Sequence, residues 1–270
     1  MFSGGVFLYD TFYPKYVAYK EEQKVAEEKA KKEEEERQRK LAEEQIAIQK
    51  KYMEELESPL IKWDFSNTIN EENGNISVPY GDIYTDTYTD SYGNSIVGTY
   101  FDGDGDYIDC GRGMNLTGHD TFNFLINCHD INKNYSGIFA KYETNYEGPY
   151  AFSIVYGKVN CWITTEDYEY NEIMGNMELE SDVWYYISVV IDGNTLSIYI
   201  NGELDRQQEI GTPITNEDLV TIGRQALLFY PESDLQFTGA IAEITYYDRV
   251  LSQDDIRILS DKRVKGRIGD

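Results

Sequence analysis

The sequence predicts a mainly β protein, in which a sandwich or barrel of about 200 residues follows a long charged α-helix. Three observations carry this. Residues 20–57 are densely charged, with acid and base four residues apart, the spacing at which side chains meet on a helix. From Leu60 the hydrophobic period changes to two, the period of a strand with one buried face. Turn residues then separate short apolar runs up to about residue 260.

The chain opens on seven aromatics in 19 residues: Phe2, Phe7, Tyr9, Phe12, Tyr13, Tyr16 and Tyr19. Gly4, Gly5, Asp10, Pro14 and Lys15 interrupt the apolar stretch that an export signal needs. Left free, so aromatic a segment is a sticky patch. Residues 1–19 are therefore expected to dock into a partner protein through Phe2, Phe7, Tyr9, Phe12 and Tyr13, or to fold back on their own oligomer.

Between Glu27 and Lys40, 12 of 14 residues are charged. Glu27–Lys31, Glu28–Lys32, Glu33–Arg37, Glu35–Arg39 and Glu36–Lys40 all place acid before base at i,i+4, each worth roughly 0.2–0.5 kcal/mol to a helix. One heptad frame puts Ala18, Val25, Lys32, Arg39, Ile46 and Met53 at a, with Ala42, Gln49 and Leu56 at d. That seam is apolar only at its ends, so the expectation is a stalk that associates near the following domain, against a solitary spacer helix. Ser58-Pro59 ends it.

Strands are expected at Ile61–Phe65, Ile96–Phe101, Tyr107–Cys110, Ile138–Tyr142, Tyr150–Tyr156, Val159–Ile163, Leu219–Ile222 and Phe237–Tyr247. Phe122, Phe124, Ile126 and Cys128 alternate with Asn123, Leu125 and Asn127. Tyr185, Ile187, Val189 and Ile191 alternate with Trp184, Tyr186 and Ser188; Asp192-Gly193-Asn194 then turns the chain into Leu196, Ile198 and Ile200. A short helix at Ser252–Ser260 has Ser252 as its N-cap, and the tail over 261–270 is basic.

Composition excludes several functions. The net charge is −25, of which −24 falls on residues 58–258, and a surface so acidic repels phosphate, so no nucleic-acid partner is expected. Three cysteines without metal spacing give neither a disulfide framework nor a zinc site. No apolar run is long enough to span a membrane as a helix.

Several motifs then fall in a recognisable order. Tyr100-Phe101-Asp102-Gly103 with Gly105-Asp106-Tyr107-Ile108, Thr121–Phe124, Val183–Ser188, Leu196–Leu204, and Phe237–Ile244 with Tyr247–Ser252 resemble the successive strands of laminin-G-like, concanavalin A-like jelly rolls. The resemblance covers about residues 60–260 and implies two antiparallel sheets face to face, in a family that often binds carbohydrate or protein. Where relatives carry an aspartate that faces a structural calcium ion, this chain has Ala242, which removes the side chain an inherited site there would use.

Three candidate chemistries follow. The repeat over 82–92 places Asp82, Tyr84, Asp86, Tyr88, Asp90 and Tyr92 on one face of an extended strand. Rings stack on the C–H faces of sugars and carboxylates accept from hydroxyls, so the row is a candidate glycan surface. Trp162, Tyr168 and Tyr170, with Tyr142 and Tyr146, form a second such group; an ordinary tyrosine-rich sheet face is the alternative for both. Asp102, Asp104 and Asp106 alternate with glycine as candidate calcium ligands, although the EF-hand pattern fails at Tyr107 and Gly113. No other cofactor is expected. Glucanases of the superfold need two carboxylates on one strand face; the nearest match, Glu203 to Glu209, spaces its glutamates too far apart, so no enzyme is expected.

The combination resembles a bacteriophage virion protein. It reads as a non-enzymatic fibre or decoration protein, made in the host cytoplasm and displayed on the virion surface. Residues 1–19 would root it in a capsid or tail protein, the stalk would assemble a homo-oligomer, expected to be a trimer, and the lectin-like head would meet a cell-surface glycan. A bacterial surface lectin outside the cell, a purely structural particle subunit and a glucanase-like hydrolase are the alternatives.

Overall fold

The computed structural model describes residues 4–66, 77–90, 93–142, 148–167, 169–225 and 235–264, and only the backbone over 4–12. The chain divides into two units, Met1–Ser58 and Pro59–Asp270.

The first unit is one helix, α1 (Gly4–Leu56), with Pro14 inside it. The change of composition at residue 20 is therefore a change of side chains along a continuous backbone. Tyr13, Val25, Leu41, Ile46 and Ile48 are exposed. Ion pairs at i,i+4 join Lys29–Glu33, Lys31–Glu35, Arg39–Glu43, Lys50–Glu54 and Glu36–Lys40. Only the last is acid-before-base. Lys31, Arg39 and Lys40 each have an acid on both sides, and water screens the choice between them.

The second unit is a sandwich of two antiparallel sheets. Its strands are β1 (Ile61–Asp64), β2 (Val78–Tyr80), β3 (Tyr84–Thr89), β4 (Ser95–Phe101), β5 (Tyr107–Arg112), β6 (His119–Cys128), β7 (Ser136–Lys141), β8 (Tyr150–Val155), β9 (Lys158–Thr164), β10 (Tyr170–Met174), β11 (Trp184–Asp192), β12 (Thr195–Ile200), β13 (Glu203–Glu209), β14 (Leu219–Ile222) and β15 (Gly239–Tyr247). Sheet I runs β13-β12-β11-β6-β15-β4-β3, with β1 also on β15; sheet II runs β10-β9-β8-β7-β14-β5-β2. Rings from both sheets meet between them: Phe122 and Phe124 of β6 lie 5.0 and 5.5 Å from Phe152 of β8.

Helix α2 (Gln253–Val264) follows β15. Ser252 caps it as the sequence predicts: Asp255 N donates to Ser252 Oγ at 3.2 Å, and Ser252 N to Asp255 Oδ2 at 2.8 Å. Ile256 and Leu259 are buried, and Arg263 pairs with Glu243 of β15.

The strand edges place the candidate residues. β3 ends sheet I on the side where the β2–β3 connection lies; β13 ends it on the other. Asn176 N and Met177 N, just past β10, donate to the Asp205 carboxylate of β13 at 2.8 and 2.9 Å. β3 and β10 therefore lie at opposite edges of the sandwich and in different sheets.

Candidate functional site

The outer face of sheet II is set by alternation. Val159, Cys161 and Ile163 of β9 enter the core, which turns Asn160, Trp162 and Thr164 outward. On β8, Phe152 and Ile154 enter the core and Ala151 and Ser153 turn outward. Register aligns Ala140, Ala151, Trp162 and Glu172 across β7, β8, β9 and β10. The small floor of Ala140 and Ala151, with Tyr142, carries the partly exposed indole of Trp162. Tyr170, 48% exposed, meets that indole edge-on at 5.6 Å. Asn160 Nδ2 and Tyr135 OH donate to Glu172 Oε1 at 3.0 and 3.2 Å. Trp162 Nε1 is buried without a hydrogen-bond partner among the described residues. Rings and hydrogen-bonding groups therefore share one surface. Tyr168 and Tyr146 lie outside the described residues.

The row on β3 is shorter than the repeat predicts. Tyr84, Asp86 and Tyr88 pair with Tyr100, Gly98 and Ile96 and share the outer face of sheet I. Asp82 precedes the strand and turns towards Asp106, whose Oδ1 accepts from Asp82 N at 3.0 Å. Asp90 follows it, and its carboxylate accepts from Asn94 N and Nδ2 at 2.7 and 2.8 Å, so it fixes the β3–β4 turn and leaves the row. Tyr92 lies outside the described residues.

The fold adds rings that the sequence reading missed. Tyr84 lies 5.1 Å from Tyr100, Tyr100 5.4 Å from His129, and Tyr88 5.6 Å from Trp184. Burial first, then the charges of Tyr84 and Asp86, push the Tyr88 hydroxyl up to about 12. The one available signal was phase: Trp184 precedes the inward residue Tyr185 and so points outward.

Asp82, Asp102 and Asp106 bring carboxylate oxygens within 4.8 Å of one another. Such a set suits a hard cation. The expected trio is thus corrected: Asp104 is replaced by Asp82, because Asp106 turns inward to accept from Asp102 N at 2.8 Å and from Asp82 N. Burial raises the pKa of Asp106, the neighbouring carboxylates add to this, and the two N–H donors oppose it.

Glu203 and Asp205 of β13 hold other elements. Glu203 pairs with Arg257 of α2 at 3.2 Å, and Asp205 accepts the amides of Asn176 and Met177. Of the aromatic docking residues, Phe2 and the side chains of Phe7, Tyr9 and Phe12 lie outside the described residues, and Tyr13 is exposed. No helix among the described residues is long and apolar enough to cross a membrane.

The family described as the concanavalin A-like lectin/glucanases superfamily matches residues 101–257, more than half of the chain. No curated protein matches it. Among solved structures, the binding domain of botulinum neurotoxin serotype D is similar at 16% identity and a TM-score of 0.57, over 77% of this chain and 52% of that one. The binding domain of Paraclostridial Mosquitocidal Protein 1 is similar at 13% identity and a TM-score of 0.59, again over 77% and 52%. The chain thus spans about half the length of either binding domain. Domain 4 of AbnA, a GH43 extracellular arabinanase from Geobacillus stearothermophilus, solved with arabinotriose, is similar at 14% identity and a TM-score of 0.56, over 75% of this chain and 98% of that one.

Proposed function

The chain belongs to the concanavalin A-like lectin/glucanases superfamily, and from that premise we propose that it is a non-enzymatic carbohydrate-binding protein whose sugar site is the outer face of sheet II. One observation carries the reading: the Trp162–Tyr170 ring pair stands on a floor of small side chains, beside hydrogen-bonding groups of Asn160, Tyr135 and Glu172. The rings stack on a pyranose or furanose face, and Glu172 accepts from its hydroxyls. The arabinotriose complex of domain 4 of AbnA, a domain of similar fold, favours a sugar as the ligand.

In the wider form of this reading the protein is a virion fibre or decoration protein. Residues 1–19 root it in a capsid or tail protein, α1 gathers it into a homo-oligomer, and the sandwich meets a cell-surface glycan. The aromatic start of the chain and the exposed, charged α1 support this arrangement.

A glycan array probed with the full chain tests the sugar site. Binding is expected, and Trp162→Ala should weaken it by about tenfold or more, or about 1.4 kcal/mol. An array on which the full chain binds nothing, or binding that Trp162→Ala leaves unchanged, overturns the site. Release of reducing sugar from β-glucans, lost in Glu203→Gln, overturns the non-enzymatic reading.

A further inference from the structure

The outer face of sheet I carries rings that the sheet II site does not use. Tyr84 and Tyr88 of β3, Tyr100 of β4, His129 just past β6, and Trp184 of β11 form a connected series, with neighbouring centroids 5.1 to 6.5 Å apart. Tyr84 is 52% exposed, and among the described residues β3 has a strand neighbour on one side only. At the base of the series, Trp184 pairs across strands with Asn127. Both are 4% exposed, and Trp184 Nε1 and Asn127 Oδ1 are buried without any hydrogen-bond partner among the described residues.

Two unpartnered polar atoms beneath an aromatic wall are costly unless something satisfies them. A donor beside an acceptor is the complement of a hydroxyl, which both gives and takes a hydrogen bond. The rim sets the charge of the ligand. Asp86 stands on the same face between Tyr84 and Tyr88, and Asp182 Oδ1 lies 3.8 Å from His129 Nε2. Carboxylates at the rim accept hydroxyls and repel anions.

We propose that this face is a second binding site for a neutral oligosaccharide. Tyr84 and Tyr100 form its stacking platform, and Trp184 Nε1 and Asn127 Oδ1 receive a hydroxyl when Tyr88 turns aside. The inference rests on the reading of the sandwich as a sugar binder and deepens it: one head then carries two sites, on opposite sheets and at opposite edges, and can bridge two glycan chains.

The three tryptophans make the test direct. Trp63 Nε1 is bonded to Ser77 Oγ at 3.1 Å in the core, Trp162 lies on sheet II and Trp184 on sheet I. Indole N–H resonances of the full ¹⁵N-labelled chain are followed while cellohexaose, xylohexaose, laminarihexaose or arabinotriose is added. With at least one of these probes the Trp162 and Trp184 signals should both shift while Trp63 stays still. In Trp162→Ala the Trp184 shift should persist, and in the double variant Tyr84→Ala, Tyr100→Ala it should vanish while that of Trp162 remains. A Trp63 indole resonance at its position in the unmodified protein shows that each variant is folded. A Trp184 signal that never moves while Trp162 responds, or that moves only when Trp162 is intact, overturns the second site and leaves the first. Silence of both signals with every probe overturns the two sites together.

Discussion

Asp120 of β6 is fully buried and accepts from four donors: Thr117 N and Oγ1, Gly118 N, and Tyr246 OH across the sheet at 2.8 Å. Asp120→Ala strips these donors of their acceptor, and a loss of about 1–3 kcal/mol is expected in urea unfolding. A loss under about 0.5 kcal/mol would show that solvent reaches them. Lys141 raises the opposite problem, a buried cation with no carboxylate in contact among the described residues. Its ammonium donates to Gly113 O and to Asn115 Oδ1, the latter at 2.8 Å. Burial lowers its pKa, which the more distant Glu217 and Asp218 only partly offset. A lowered lysine pKa means that the folded state releases its proton first. The cost of the charge is therefore carried in full below the folded pKa and shed as pH rises to about 10.4, the unfolded value. Unfolding midpoints should rise for the unmodified protein relative to Lys141→Met across that window. A difference independent of pH would mean that the two pKa values coincide.

At the scale of elements, α1 is held by exposed ion pairs, each contributing at most about 0.5 kcal/mol and screened within a Debye length of about 3 Å in 1 M salt. Far-ultraviolet circular dichroism of the full chain should therefore lose helical signal from low salt to 1 M sodium chloride. An unchanged signal would mean that apolar association of the ends, at Tyr16, Ile46 and Ile48, carries the helix instead. Light scattering separates these cases, because the self-associated stalk requires an oligomer at micromolar concentration and a monomer there sinks it. The sequence showed the helix and the two-sided strands well. β6, β11 and β12 alternate cleanly because sheet faces and core impose the period, whereas a bulge between Ile241 and Glu243 shifts the phase of β15. β13 was missed because it is an edge strand, polar on both faces. β2 carries Pro79, which an edge tolerates, and β10 begins among acidic and tyrosine residues that read as loop.

Across the whole molecule, the site was legible only where strands adjacent in sequence supply it. Trp162 and Tyr170 sit in neighbouring strands and could be picked out by ring density. Tyr100, His129 and Trp184 meet Tyr84 and Tyr88 only through a strand order that no local pattern encodes. The net charge of −24 over residues 58–258 acts at the same scale. Mixed with double-stranded DNA at about 50 mM salt, where attraction to phosphate is strong, the full chain should leave the DNA's electrophoretic mobility unchanged. A retarded band would show a basic surface that the summed charge conceals. The thiols carry a last consequence. Cys128 and Cys161 are free and buried, one in each sheet, and burial raises both, Cys128 to about 11. No crosslink involving them forms for a reductant to break, so the head should keep its strength under oxidising and reducing conditions alike. Both sulfurs lie in the one core between the sheets, so a labelling reagent meets either only when the sandwich opens, and the labelling rates clock its breathing.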